Sequence, residues 1–244
     1  MSFAKLIDTS RCIGCRGCQA ACKNWNRLPY EKTKNRGTLQ NPPDMSASTY
    51  TIIRYKESGE GNNLLWTFLK DQCRHCVDAP CKIMADGYDA TAVEKTESGA
   101  VLYTDKTAKI EDLEFSCPYN VPRRAKAGDP YVKCTLCFDR ITNNLKPACV
   151  TTCPTGALEF GTREDMLKLA NDRVAEIKSR YPDAHVMQDA KDVSVFYVLH
   201  YKDALFSMEA DLSKHDKSRY ASRRDLLNPK RIASGLSGLS KLLG

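Results

Sequence analysis

The chain has 244 residues, 42% of them hydrophobic, a length that allows one large or two small domains. No apolar run approaches the ~20 residues of a membrane-spanning helix, and the chain is too long for a small disulfide-stapled secreted domain. The formal charge of +7 counts twelve cysteines as neutral, so it argues for a polyanion partner only if those thiols stay uncharged.

In chain order, residues 3–8 read as a strand leading into CIGCRGCQAAC. Cys12, Cys15, Cys18 and Cys22 stand at C-x2-C-x2-C-x3-C, the spacing of bacterial ferredoxins. Gly14 and Gly17 permit tight turns that aim backbone amides at sulfur. Lys23 replaces the proline that commonly follows the fourth cysteine. Residues 27–48, with NRGTLQNPPDM, read as a long loop. Strands at 50–55 and 64–70 flank KESGEGNN, a hairpin loop by its Gly and Asn content. CRHCVDAPC then supplies Cys73, Cys76 and Cys81, with Ala85 where a fourth ligand is due. His75 in this run reads as an amide-like or solvent-facing residue, with tuning of a cluster potential as the alternative.

A short strand at 100–105 precedes KTAKIEDLEFSCPYNVP, which holds only Cys117. Counting back by the spacing of the first run gives Thr107, Ile110 and Leu113 in place of cysteines. The last run, CTLCFDRITNNLKPACVTTCP, carries Cys134, Cys137, Cys149 and Cys153, and ends in a ferredoxin-like Cys153-Pro154-Thr155-Gly156. A strand at 157–161 follows. Thr162 can cap a helix at 163–181 that has Glu164 and Asp165 in its first turn. Its apolar face is Met166, Leu169, Ala170, Val174 and Ile177. VSVFYVLH at 193–200 reads as a strand, and a basic tail runs from residue 205. His185, His200 and His215 form no ligand spacing, and no Ser/His/Asp set, phosphate loop or paired carboxylate site stands out.

Three chemistries compete for twelve cysteines: disulfides, zinc and iron–sulfur clusters. The third closes the count. In two-cluster ferredoxins the fourth cysteine of each run ligates the other run's cluster. Pairing the second and third runs gives one complete set, Cys73, Cys76, Cys81 and Cys117, and one wholly missing set, Thr107, Ile110, Leu113 and Ala85. Pairing the first and fourth runs gives Cys12, Cys15, Cys18 and Cys153, and separately Cys22, Cys134, Cys137 and Cys149. Every cysteine is used, and the expectation is three 4Fe–4S clusters. Zinc, as in a zinc-stapled binding module, offers no such closure. Thiolates and clusters together bring the formal charge to about +1, which does not point to nucleic acid.

The four-run layout resembles the iron–sulfur electron-transfer subunits of molybdopterin oxidoreductases. With one cluster lost, TSRCIGCRGCQAACK, DQCRHC, SCPYNVPR and CFDRITNNLKPACVTTCPTGA are similar to the small subunit of tungsten- or molybdenum-containing formate dehydrogenases of sulfate-reducing bacteria. The expected fold is α+β. One ferredoxin-like module spans 1–49 and 118–161, and a second spans 50–117 with one cluster retained. A helix and strand occupy 162–204, and the basic tail of 205–244 is expected to dock on a partner. The resemblance implies a non-catalytic chain beside a large catalytic subunit with a tungsten or molybdenum bis-pterin cofactor and its own 4Fe–4S cluster. It implies an acceptor such as a cytochrome or membrane protein, and another molybdopterin oxidoreductase as the alternative assignment. MSFAKLIDTSRC has no apolar h-region, so the chain is expected in the periplasm by co-export with its partner, or else in the cytoplasm.

Overall fold

The computed structural model describes residues 2–206; apart from its first two residues, the basic tail lies outside them. Strand β1 (Phe3–Asp8) leads to helix α1 (Gly17–Trp25), which is followed by β2 (Ile52–Ser58), β3 (Leu65–Asp71) and α2 (Pro80–Asp86). Two short strands, β4 (Val93–Lys95) and β5 (Val101–Tyr103), come next, and then two short helices, α3 (Phe138–Ile141) and α4 (Ala148–Thr151). The chain continues through β6 (Leu158–Thr162), α5 (Arg163–Ile177), β7 (His185–Val186) and β8 (Val195–Leu199).

The architecture is mixed helix and sheet. β1 pairs antiparallel with β6 and parallel with β8, giving a four-stranded sheet in the order β6-β1-β8-β7. Residues 162–204 therefore complete the sheet that the N-terminal strand begins. β2 and β3 form a hairpin with a 3₁₀ turn at Gly61–Asn63, and β4 and β5 form a second, smaller one. Asp44 ties the long loop to both halves of the molecule: it bonds Arg54 at 2.8 Å and Arg123 at 2.8 Å.

Alternation along β1 assigns its two faces. Ala4 and Leu6 enter a core with Phe196, Val198, Met166 and Ala170. Ile7 enters another with Cys18, Cys149 and Tyr197. Helix α5 covers the first face, capped by Thr162, whose hydroxyl accepts the Asp165 N–H at 3.1 Å. Met166 and Ala170 of its apolar face are buried, with Leu169, Val174 and Ile177 packed against them. The helix stops at Ile177 rather than 181. The Arg180 and Tyr181 N–H groups turn back onto the Ile177 carbonyl, and a residue preceding a proline, here Tyr181 before Pro182, is biased away from helix. Arg173 is buried on this helix and meets Asp8 at 2.9 Å, fixing α5 over the end of β1.

The four runs adopt related shapes. In three of them a short helix carries the third ligand position, and in the third run the 3₁₀ turn Leu113–Ser116 takes its place. α1 packs on α4, and α2 packs on that 3₁₀ turn.

Candidate metal centres

Three C-x-x-C loops share one backbone device. The residue two after the first cysteine has positive φ: +67° at Gly14, +50° at His75 and +59° at Leu136. This turns the backbone N–H toward the preceding sulfur. His75 N–H donates to Cys73 Sγ at 3.4 Å and Leu136 N–H to Cys134 Sγ at 3.4 Å. The Gly14 amide likewise lowers the pKa of Cys12 against the effect of burial. Glycine is needed at 14 for space as well, since a Cβ there would meet the Phe68 ring at 3.0 Å. His75 and Leu136 adopt the same conformation without glycine's freedom, at a cost of about 1–3 kcal/mol each.

The expectation that His75 is amide-like or solvent-facing needs correction for exposure. It is fully buried, and its Nδ1 accepts the Val101 N–H at 3.0 Å. Burial, with Lys133 and Lys5 nearby, holds it neutral, well below the usual histidine range. An acceptor at Nδ1 leaves the proton on Nε2.

The structure gathers the cysteines in three groups. Cys12, Cys15, Cys18 and Cys153 line one recess of about 380 Å³. Cys73, Cys76, Cys81 and Cys117 line a second of about 320 Å³. Cys22, Cys134, Cys137 and Cys149 are electrostatic neighbours. The third group sits between the other two: Cys149 packs in one core with Cys18, and Cys134 in another with Cys73.

Left as bare thiols, Cys12, Cys18, Cys22, Cys73, Cys117 and Cys137 resist ionisation, burial being the first cause in each. Burial, then neighbouring charges, push Cys18 and Cys137 up to about 11, and raise Cys22 and Cys117 further. Such crowded thiolates call for a cationic centre, and iron supplies one. Among the described residues no three His, Cys, Asp or Glu side chains close on a single point, as the ligands of one zinc ion at ~2.3 Å must. The cysteines instead rim recesses, which suits a cluster.

Two buried lysines, neither foreseen from the sequence, lie beside these groups. Lys5 Nζ is 3.2 Å from Cys149 Sγ and 3.3 Å from Gln72 Oε1. Lys70 Nζ donates to the same Gln72 oxygen and, at 2.8 Å, to Thr51 Oγ1. Burial opposes the Cys149 thiolate, but Lys5 and Lys70 outweigh it and lower its pKa. Lys70 also favours the thiolates of Cys12, Cys18 and Cys22.

At the four positions where the spacing lacks cysteines, the space is filled. Ala85, Thr107, Ile110 and Leu113 all have zero exposure. Ala85, Ile110 and Leu113 share one apolar core with Cys76 and Cys81. Thr107 Oγ1 donates to the Thr104 carbonyl at 2.8 Å and accepts the Tyr131 N–H at 3.0 Å. Apolar packing is the structural element here. Leu113→Ala is therefore expected to cost about 2–5 kcal/mol, read as a lower denaturant midpoint of the iron-loaded protein.

Cysteine-rimmed recesses on paired ferredoxin-like modules define an iron–sulfur protein that binds 4Fe–4S clusters. A family model described as a 4Fe-4S dicluster domain matches residues 64–163. The formate dehydrogenase subunit beta of Megalodesulfovibrio gigas is 45% identical over 210 residues, covering 84% of this chain and 97% of that protein. Formate dehydrogenase 2 subunit beta (cytochrome c-553) of Nitratidesulfovibrio vulgaris is 45% identical over 206 residues, covering 82% and 94%. The nitrate-inducible formate dehydrogenase iron-sulfur subunit of Escherichia coli is 41% identical over 204 residues, covering 82% and 69%. The chain belongs to the family of formate dehydrogenase iron–sulfur (beta) subunits, and membership implies a catalytic partner subunit.

Proposed function

We propose that the chain relays single electrons between the catalytic subunit of a formate dehydrogenase and an external acceptor, through three 4Fe–4S clusters. The ligands are Cys12, Cys15, Cys18 and Cys153 for the first, Cys22, Cys134, Cys137 and Cys149 for the second, and Cys73, Cys76, Cys81 and Cys117 for the third. The observation that carries this reading is the contiguous order of the three cysteine groups, with the middle one packed against both others. When bound, each cluster takes up and returns one electron. The chain's own residues hold the irons through thiolates, aim amides at sulfur, place Lys5 and Lys70 against the negative charge, and exclude water.

In this reading formate is oxidised on the partner, at a tungsten or molybdenum bis-pterin centre with its own 4Fe–4S cluster. Electrons leave through this chain to a cytochrome or a membrane protein, the cytochrome being favoured by the name of one relative. The complex works in the periplasm, reached by co-export with the catalytic subunit. The basic tail docks on a partner.

Anaerobically purified chain is expected to hold about twelve irons and twelve sulfides. Formate should bleach its broad visible absorption within the two-subunit complex. A sixteen-iron chain would defeat the three-cluster count. Bleaching by another substrate but not by formate would assign the chain to a different molybdopterin oxidoreductase.

A further inference from the structure

Tyr103 ends β5 at the recess shared by Cys73, Cys76, Cys81 and Cys117. Its hydroxyl is buried and has no partner at full hydrogen-bond geometry within the chain, the Cys81 sulfur being the acceptor that bears on it. A buried donor without an acceptor is costly and uncommon, so it calls for an explanation. The hydroxyl faces the sulfur side of the recess: after burial itself, the groups that act on it most are Cys81 and then Cys117. A phenol carries its proton at neutral pH, so the hydroxyl is a donor.

The other polar side chains on this recess have partners elsewhere, apart from the Arg74 Nε, which is a donor and offers Tyr103 no acceptor. Tyr119 Oη donates to Asp189 at 2.9 Å. The Arg74 guanidinium lies over the Tyr197 ring, 3.9 Å from its centroid, and 3.8 Å from Asp189. Lys133 Nζ donates to the carbonyls of Val101 and Cys134. Lys133 also stands 4.5 Å from the centroid of the Tyr103 ring, where its charge draws electron density from the phenol and strengthens the O–H as a donor. The acceptors that remain for Tyr103 are sulfurs.

We propose that Tyr103 Oη donates a hydrogen bond to the cluster held by Cys73, Cys76, Cys81 and Cys117, at the Cys81 thiolate or the sulfide beside it, and so raises that cluster's reduction potential. This rests on the ligand sets proposed above. The direction follows from charge. Reduction adds an electron to the cluster, its sulfurs become better acceptors, and a fixed donor stabilises the reduced form more than the oxidised one. Tyr103 is thus a positioning residue for the electron, favouring its arrival at the end of the relay farthest from the Cys12 group.

The test is an EPR-monitored redox titration of the anaerobic two-subunit complex. The signal to follow is the one that Cys117→Ala removes. Tyr103→Phe keeps the ring and should lower that signal's midpoint by about 59 mV, a tenfold change in a one-electron equilibrium, with the other midpoints unmoved. Fluorotyrosine at 103, a stronger donor of nearly the same shape, should move the midpoint upward. In deuterated buffer, pulsed EPR should show a deuteron coupled to the reduced cluster in wild type and absent in Tyr103→Phe. A Cys117-dependent signal whose midpoint ignores both replacements overturns the proposal alone. If no signal depends on Cys117, the ligand reading fails and takes the proposal with it.

Discussion

Cys117→Ala and Cys73→Ala are expected to abolish the same cluster signal and to lower bound iron from about twelve to about eight per chain. The two residues are far apart in sequence but line one recess. Cys81 and Cys73 are the charges that act most on Cys117. Cys22→Ala provides the converse test. Cys18 and Cys22 are four residues apart on α1 and both are buried, so a local reading would give them one cluster. Yet the charges that act on Cys22 are Cys134, Cys149 and Cys137, together with Lys70. Cys22→Ala should therefore remove the signal that Cys134→Ala removes, and spare the one that depends on Cys12. EPR spin counting with iron analysis reads the outcome. Separate losses from Cys117→Ala and Cys73→Ala would sink the exchange of fourth ligands. Circular dichroism of each variant shows whether the fold survives, since cluster binding also stabilises the chain.

The sequence disclosed those elements whose signals are local. β1 is bounded as its apolar run suggests, and Thr162 caps α5 because a hydroxyl and two acids are what a helix start requires. Spacing alone marks Thr107, Ile110 and Leu113 as positions without ligands, and in the structure these positions are filled by packed side chains. What stayed hidden depends on contacts between distant segments. α1 and α2 lack an apolar stripe because cysteines occupy their inward positions. The parallel pairing of β1 with β8 joins residues 190 positions apart, as Lys5 with Val195, and no local pattern announces it. His75 looked polar and accessible, but it occupies the place of Gly14 in a loop whose conformation serves the sulfur. Lys5 and Lys70 lie on strands where a lysine ordinarily marks the solvent side. Here that side faces cysteines, so the polar face of each strand is an interior one.

That inversion yields the second large effect. Lys5→Met is expected to lower the midpoint potential of the middle cluster by about 60 mV or more, because a fixed ammonium favours the more negative, reduced state. Methionine matches much of the lysine stem's volume and removes the charge. The Lys5 ammonium lies 3.2 Å from Cys149 Sγ, fully buried, where solvent screening is weakest. Lys5→Arg keeps the charge and should retain most of the potential, which separates electrostatics from packing. Lys70 reaches further: it shares Gln72 with Lys5 and also acts on Cys12 and Cys18. Lys70→Met should therefore lower the first and second cluster potentials together. Neither replacement should move the Cys117-dependent signal as far. If Lys5→Met and Lys5→Arg titrate alike, charge is not the lever, and Lys5 acts only by filling space. If they differ as expected, the buried ammonium beside Cys149 helps set the middle cluster's potential.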